Sequence, residues 1–262
     1  MTLIPNYKFL IPYILHLADN TLILAQRNSE WCGHGPVLEQ DIAITNISLD
    51  LLGQARNFYQ YAAELVNQST NQPINPATED TLACLRDTRD FKNCLLAEQE
   101  NGDWGQTILR QFLFSNYQYL LYEKLKENTD QQLAAIAAKA LKEVTYHLKW
   151  STEWVIRLGD GTEESHQRML HAIGELWPYV DELFINAEYE IALLNDSIGV
   201  DVASLQPPWN KKTEEVFSEA KLEVPQNVFG QKGGKQGVHT EKLGYILAEL
   251  QFMQRAYPNS VW

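Results

Sequence analysis

The sequence predicts an all-α protein, one ferritin-like domain of 262 residues with a four-helix core over about 8–158 and a C-terminal helical extension over about 162–262. Three observations carry that prediction. Apolar residues recur every three or four positions along most of the chain, the signature of buried helix faces. No stretch alternates apolar and polar residues long enough to build a sheet. Two pairs of long helical patterns are separated by a long polar connection, which is the plan of a ferritin-like bundle.

The first helix is expected over 8–30. Pro36, of a type favoured in a first helical turn, opens a second that continues to about Val66 with no breaker stronger than Gly53. Thirty residues of helix span roughly 45 Å. The polar, Pro-containing "NQSTNQPINPATED" (67–80) reads as a loop, followed by short helical pieces over 80–98. A third long helix runs from about Asp103 to Glu127, with Leu109, Phe112, Leu113, Tyr117, Leu120 and Leu121 as its buried stripe. A fourth follows from about Asp130 to Leu158, with Leu133, Ile136, Ala137, Ala140, Leu141, Val144 and Leu148 on one face, and "GDG" (159–161) closes it. Further helices are expected near 162–184, 186–196 and 211–220. Thr240 caps a last one, which ends at Tyr257.

Composition excludes several classes of function. Lys and Arg number 21 against 34 Asp and Glu, a formal net charge of −13. Such a chain repels phosphate backbones and anionic lipid, so no nucleic-acid or membrane partner is expected. Three cysteines, Cys32, Cys84 and Cys94, show no metal-type pairing and suit a reduced, cytoplasmic protein. The apolar "NYKFLIPYILHLADN" carries Pro12 and His16 and lacks a basic leader, so it reads as the start of a helix and not as a signal peptide. No uninterrupted apolar run reaches the length of about 18 residues that spans a bilayer.

The stretch "KEVTYHLKW" (142–150) raises the question of metal. Four-helix bundles hold two irons with a Glu-x-x-His motif on each of two helices and a further carboxylate from each of the others. Here Glu143 is followed at the third position by Tyr146, and the histidine arrives one residue late as His147. On the second helix Asp50 is followed by Gly53 and Gln54, so a second histidine is missing. Ser115 and Asn116 stand on the third helix where a carboxylate is required, and the first offers Asp19 with His16 one turn before it. Such a set falls short of roughly four carboxylates and two imidazoles. Two readings remain: a di-iron centre built on an incomplete set, or a buried hydrogen-bonded network of Asp19, Asp50, Glu143 and His147, because buried charges need partners.

Two other stretches draw attention. "GQKGGKQGVHTEKLG" (230–244) could turn backbone N–H groups toward an anion, with Lys232 and Lys235 adding charge for a phosphate-bearing ligand. Its spacing matches neither standard nucleotide motif, so from spacing alone it reads first as a mobile, solvated surface loop, with a docking loop for a protein partner as a third reading. "EWCGHGPVLEQD" brings Glu30, Cys32 and His34 together, but a lone Cys-x-His is a weak metal signal, and Gly33, Gly35 and Pro36 mark a tight corner between helices. The seven Trp, twelve Tyr and nine Phe read as core and interface anchors.

Four segments taken together, "LADNTLILAQRNSEWCGHGPVLEQDIAITNISLDLLGQARNFYQYAAEL", "KALKEVTYHLKWS", "RLGDGT" and "GGKQGVHTEKLGYILAELQFMQ", resemble the PaaC family of subunits of bacterial 1,2-phenylacetyl-CoA epoxidase. That resemblance implies a ferritin-like structural subunit that carries no metal or cofactor itself. It implies a homologous PaaA-type catalytic subunit with the di-iron centre, a PaaB-type small subunit, and a PaaE-type reductase carrying FAD and an iron–sulfur cluster. It further implies NADPH- and O2-dependent epoxidation of phenylacetyl-CoA in phenylacetate catabolism. Two segments implied to lie near the acyl-CoA fall on Asp90, Phe91, Lys92 and Asn93 and on Ile191, Ala192 and Leu193. The expectation is therefore a non-catalytic subunit of an oxidoreductase complex. The alternatives are a free-standing ferritin-like di-iron oxidase or iron-binding protein, and an all-α interaction module.

Overall fold

Helical periodicity becomes helix nearly everywhere it is predicted, and the computed structural model describes residues 6–70, 75–258 and 260. The chain runs through α1 (Tyr7–Ser29), α2 (Leu38–Ser69), α3 (Glu79–Cys84), α4 (Leu95–Glu98), α5 (Trp104–Leu125), α6 (Gln131–Gly159), α7 (Glu163–Leu176), α8 (Glu188–Leu194), α9 (Gln206–Glu219), α10 (Glu241–Leu250) and α11 (Phe252–Ala256). Among the described residues there is no strand. α1 packs along α2, α5 packs along α6, and the two pairs meet where α2 crosses onto α6, giving the ferritin-like bundle. α4, α8 and α10 cover α1, while α7 and α9 cover α5.

Helix starts follow local chemistry. Asp103 accepts from Gln106 N–H, Asp130 from Gln132 and Leu133 N–H, and Thr162 from Ser165 N–H, each satisfying donors that a first turn leaves open. Four boundaries differ from expectation. α2 starts at Leu38, two residues after Pro36. The helix predicted over 162–184 stops at Leu176, because Pro178 lacks an N–H, and two 3-10 turns follow. The one predicted near 211 starts at Gln206, since Pro207 and Pro208 occupy first-turn positions that need no N–H. The last helix breaks at Gln251 into α10 and α11.

α5 is more enclosed than a single stripe predicts. Every residue from Gly105 to Gln118 is buried, including Arg110, Gln111, Ser115 and Asn116, because other helices pack on several of its sides. Its polar side chains are bonded internally: Asn116 donates to the Trp209 carbonyl, and Gln111 joins Asn28 and Ser115. α1 is long and apolar enough in composition to reach across a membrane, but 72% of its most apolar window is buried inside the bundle. Its sequence is accounted for by packing on α2, α4, α8 and α10.

Candidate functional site

Where α2 meets α6, two i,i+4 pairs face one another in antiparallel register. His147 Nε2 lies 3.0 Å from Asp50 Oδ2, and Gln54 Nε2 donates to Glu143 Oε2 at 2.9 Å. Positions four apart share a helix face, so each helix presents both of its members to the other. α5 closes the cluster: Gln118 Nε2 donates to Gln54 Oε1 at 3.2 Å and to the Tyr122 hydroxyl at 3.0 Å. His147 is fully buried and its Nδ1 has no partner, so the ring carries its proton on Nε2 and donates to Asp50.

This donor set does not fit a di-iron centre. It offers two carboxylates and one imidazole, the remaining groups being amides and a phenol, and its members already bond one another. Among the described residues no three His, Cys, Asp or Glu side chains gather as a metal site. Gly53, at the position the motif reserves for a second histidine, points outward, and Gln54 takes the interior position. Tyr146 is likewise exposed.

Asp19 does not join this cluster, which corrects the single four-residue network expected from the sequence. It is fully buried beside Tyr59, five residues along α2 from Gln54, and accepts from the Tyr59 hydroxyl at 2.5 Å. It also accepts from Lys92 N–H at 2.8 Å and from both terminal nitrogens of Arg86. Burial opposes the charge on Arg86, yet the Asp19 carboxylate holds its pKa above the ordinary value. The Arg86 guanidinium stacks on Phe91, 4.2 Å from the ring centre.

The Gly-Lys loop is the second correction. It is no solvated surface loop: Gly233, Gly234, Lys235 and Gly237 are all buried. Lys235 is 1% exposed, and its ammonium donates to Glu190 at 3.0 Å and to the Ile185 carbonyl at 2.9 Å. A cation so enclosed is not presented to a phosphate, and of the two loop lysines only Lys232 is exposed. Glu182 accepts from Gly233 N–H and Leu95 N–H at 2.7 Å each. Glu98 accepts from Asn93, from His239 Nδ1 at 2.8 Å and from both Thr240 N–H and Thr240 Oγ1. Thr240 does precede the last helix pair, but its hydroxyl serves Glu98 instead of capping α10.

Two histidines in this belt have assignable protonation. Both neighbours of His239, Glu98 Oε2 and the Phe91 carbonyl, are acceptors, so both ring nitrogens donate. Burial lowers its pKa, but the bond to Glu98 and its charge outweigh that, and the value is raised. His16 is the reverse. Its Nδ1 donates to the Lys92 carbonyl at 2.7 Å while Nε2 accepts from Asn20 at 3.2 Å, the arrangement of a neutral ring. Burial pulls its pKa down to about 4 despite Glu190 at 3.9 Å, so that contact is not an ion pair near neutrality.

The segments implied to lie near acyl-CoA divide by accessibility. Phe91 and Asn93 are fully buried and Leu193 is core, whereas Asp90 and Ile191 are exposed and Lys92 and Ala192 half-buried. The Asp90 carboxylate also accepts from Asp87 N–H. At the helix corner Glu30 pairs with Arg27, His34 Nδ1 donates to the Cys32 carbonyl, and no metal cluster forms among these described residues. Sequence reasoning missed Glu98, Glu182, Glu190, Arg86 and His239. The available signal was acidic residues set among apolar ones, as with Glu98 in "CLLAEQ" and the Asp181–Glu182 pair in "VDELF", where an acid that becomes buried must find partners.

Comparison with known proteins agrees with this architecture. Residues 5–262 match the family described as Phenylacetic acid catabolic protein. The chain is 49% identical over 253 residues to the C subunit of 1,2-phenylacetyl-CoA epoxidase from Escherichia coli (strain K12), an alignment that covers 97% of this chain and 99% of that protein.

Proposed function

Because the chain belongs to the phenylacetic acid catabolic protein family, we propose that it is a non-catalytic, structural subunit of the multicomponent di-iron monooxygenase that epoxidises the ring of phenylacetyl-CoA. The similarity to one subunit of such an epoxidase along nearly the full length of both chains supports the assignment to a complex of this kind. The observation that carries the non-catalytic reading is the cross-bonded quartet of Asp50, Gln54, Glu143 and His147. It occupies the interface of two bundle helices, where its two carboxylates are bonded by His147 and Gln54 across that interface.

In this reading the di-iron chemistry belongs to a PaaA-type catalytic subunit, FAD and an iron–sulfur cluster belong to a PaaE-type reductase, and a PaaB-type small subunit completes the assembly. The complex works in the cytoplasm, consistent with three unpaired thiols. This chain supplies a rigid bundle and, through exposed Lys232 and half-buried Lys92, charge for the CoA phosphates.

The test is to measure iron in the chain purified alone, then phenylacetyl-CoA-dependent NADPH oxidation with a catalytic subunit and reductase, with and without this chain. Substoichiometric iron in the isolated chain and activity that requires its addition are expected. Stoichiometric iron with activity in the chain alone would sink the reading. Charge reversal at Lys92 or Lys232 raises KM for the acyl-CoA with little change in kcat if those side chains meet it.

A further inference from the structure

We infer that four buried side chains, His16, Asp19 and Asn20 of α1 and His239 after the Gly-Lys loop, are positioning residues for the acyl-CoA contact: they hold the backbone of 91–95 so that Lys92 emerges beside Gly237. The inference rests on the proposed function, in which Lys92 meets the CoA phosphates.

Residues 91–94 have no regular secondary structure, yet Phe91, Asn93, Cys94 and Leu95 are buried. Buried backbone groups outside helix and sheet need other partners, and here side chains from distant parts of the chain supply them. His239 Nε2 donates to the Phe91 carbonyl at 3.0 Å, and His16 Nδ1 donates to the Lys92 carbonyl at 2.7 Å. Asp19 accepts from Lys92 N–H at 2.8 Å, and Asn20 accepts from Cys94 N–H at 2.7 Å. Positions 16, 19 and 20 share one face of α1, being three and four residues apart, so one rigid helix grips three backbone groups of the segment.

The gripping side chains are themselves fixed. Asn20 Nδ2 donates to His16 Nε2, which keeps the His16 proton on Nδ1, where the Lys92 carbonyl needs it. Glu98 accepts from His239 Nδ1 and from Asn93 Nδ2 at 2.8 Å each, tying the ring and the segment to one carboxylate. Lys92 is therefore held through its own N–H, its own carbonyl and the carbonyl before it, each by a different side chain.

The Lys92 ammonium is left out of this network. Among the described residues it has no hydrogen-bond or ion-pair partner, in a chain of net charge −13. Gly237 keeps the space beside it open. That glycine has φ +82°, and a Cβ there would collide with the Arg89 carbonyl oxygen and lie 3.4 Å from Lys92 Nζ. A cation fixed in place and left unpaired suits a ligand phosphate. Displacing it weakens substrate binding without touching the chemical step, so the effect falls on KM and not on kcat.

The test follows NADPH oxidation by the reconstituted complex while phenylacetyl-CoA is varied. His16→Leu and His239→Leu each remove one donor, and His16→Gln restores an amide that can donate to the Lys92 carbonyl. Gly237→Ala shifts the segment without altering any of the four side chains, and stands in where a histidine variant does not fold. Asn116→Leu is the control, since it breaks a buried bond to the Trp209 carbonyl on other elements. Circular dichroism checks the folding of each. The expected result is KM raised about tenfold in the leucine variants of both histidines and in Gly237→Ala, with kcat within about twofold. His16→Gln recovers KM, and Asn116→Leu lowers the melting temperature with KM unchanged. On a Lys92→Met background, whose own KM is raised, His16→Leu adds nothing further.

Unchanged KM in His16→Leu, His239→Leu and Gly237→Ala, with a raised value in Lys92→Met, overturns the positioning role and leaves the substrate contact standing. Unchanged KM in Lys92→Met overturns both. An equal rise in Asn116→Leu overturns the positioning role, because any loss of stability would then do the same. An additive effect of His16→Leu on the Lys92→Met background overturns the route through Lys92.

Discussion

His147 on α6 and Asp50 on α2 meet at 3.0 Å, the imidazole fully buried and the carboxylate half-exposed. One turn away Glu143 and Gln54 repeat the exchange, so the two helices are joined by bonds that use the bundle's interior for cohesion. Truncating His147 to Ala removes a buried ring and its bond and lowers stability by about 2–3 kcal/mol. Glu143→Gln keeps an acceptor for Gln54 and costs less than about 1 kcal/mol. Urea unfolding of both variants, followed by circular dichroism, measures the difference, and neither substitution changes bound iron if the quartet is structural.

The buried Lys235–Glu190 pair gives a sharper test. Lys235→Met leaves the Glu190 carboxylate buried without its counter-ion, and Glu190→Leu leaves the ammonium likewise. Each single change costs about 3–5 kcal/mol, whereas the double variant recovers a large part of the loss because neither charge is left alone. A double-mutant cycle in urea reads the coupling directly.

His16 and His239 tilt the pH dependence in opposite directions. The folded pKa of His16 is lowered to about 4 from 6.5, so between these values the unfolded chain binds a proton that the folded chain refuses. Stability therefore falls as pH drops through that window, by on the order of 3 kcal/mol in all. The folded pKa of His239 is raised, so its contribution is full below 6.5 and is lost as pH rises through the raised value. Unfolding midpoints measured across both windows should fall on each side, with His16→Gln flattening the acid limb and His239→Gln the alkaline one.

Two glycines separate close packing from open surface. A Cβ on Gly234 would collide with the Asn93 carbonyl oxygen, so Gly234→Ala forces the loop off its carboxylate anchors and costs about 2 kcal/mol or more. Gly53→Ala meets nothing and raises the stability of the isolated chain by about 0.5–1 kcal/mol. Thermal melts of the two variants should shift in opposite directions.

Much of the bundle is legible in the sequence because helix periodicity is a local property. The stripes containing Leu133, Ile136, Ala140 and Val144 on α6 and Leu109, Phe112 and Leu113 on α5 are buried as their spacing requires. The shortfall of metal ligands is visible too, since residue types at helical spacing bound what a site can hold. The register is not. The metal motif pairs Asp50 and Glu143 with positions three residues on, Gly53 and Tyr146, but both of those face outward, and the interior positions are Gln54 and His147, four residues on. That choice depends on how α2 and α6 rotate against each other.

The residues of the Gly-Lys loop show the same division. By itself the sequence determined an all-helical bundle, an acidic chain and an incomplete metal set, because composition and period are carried by neighbours in the chain. Only the tertiary structure decided that Lys235 is enclosed, that Asp19 belongs to Arg86 and not to His147, and that Glu98 holds His239. Those partners lie 45 to 141 residues apart, and the desolvation that forces them together exists only once the helices have packed.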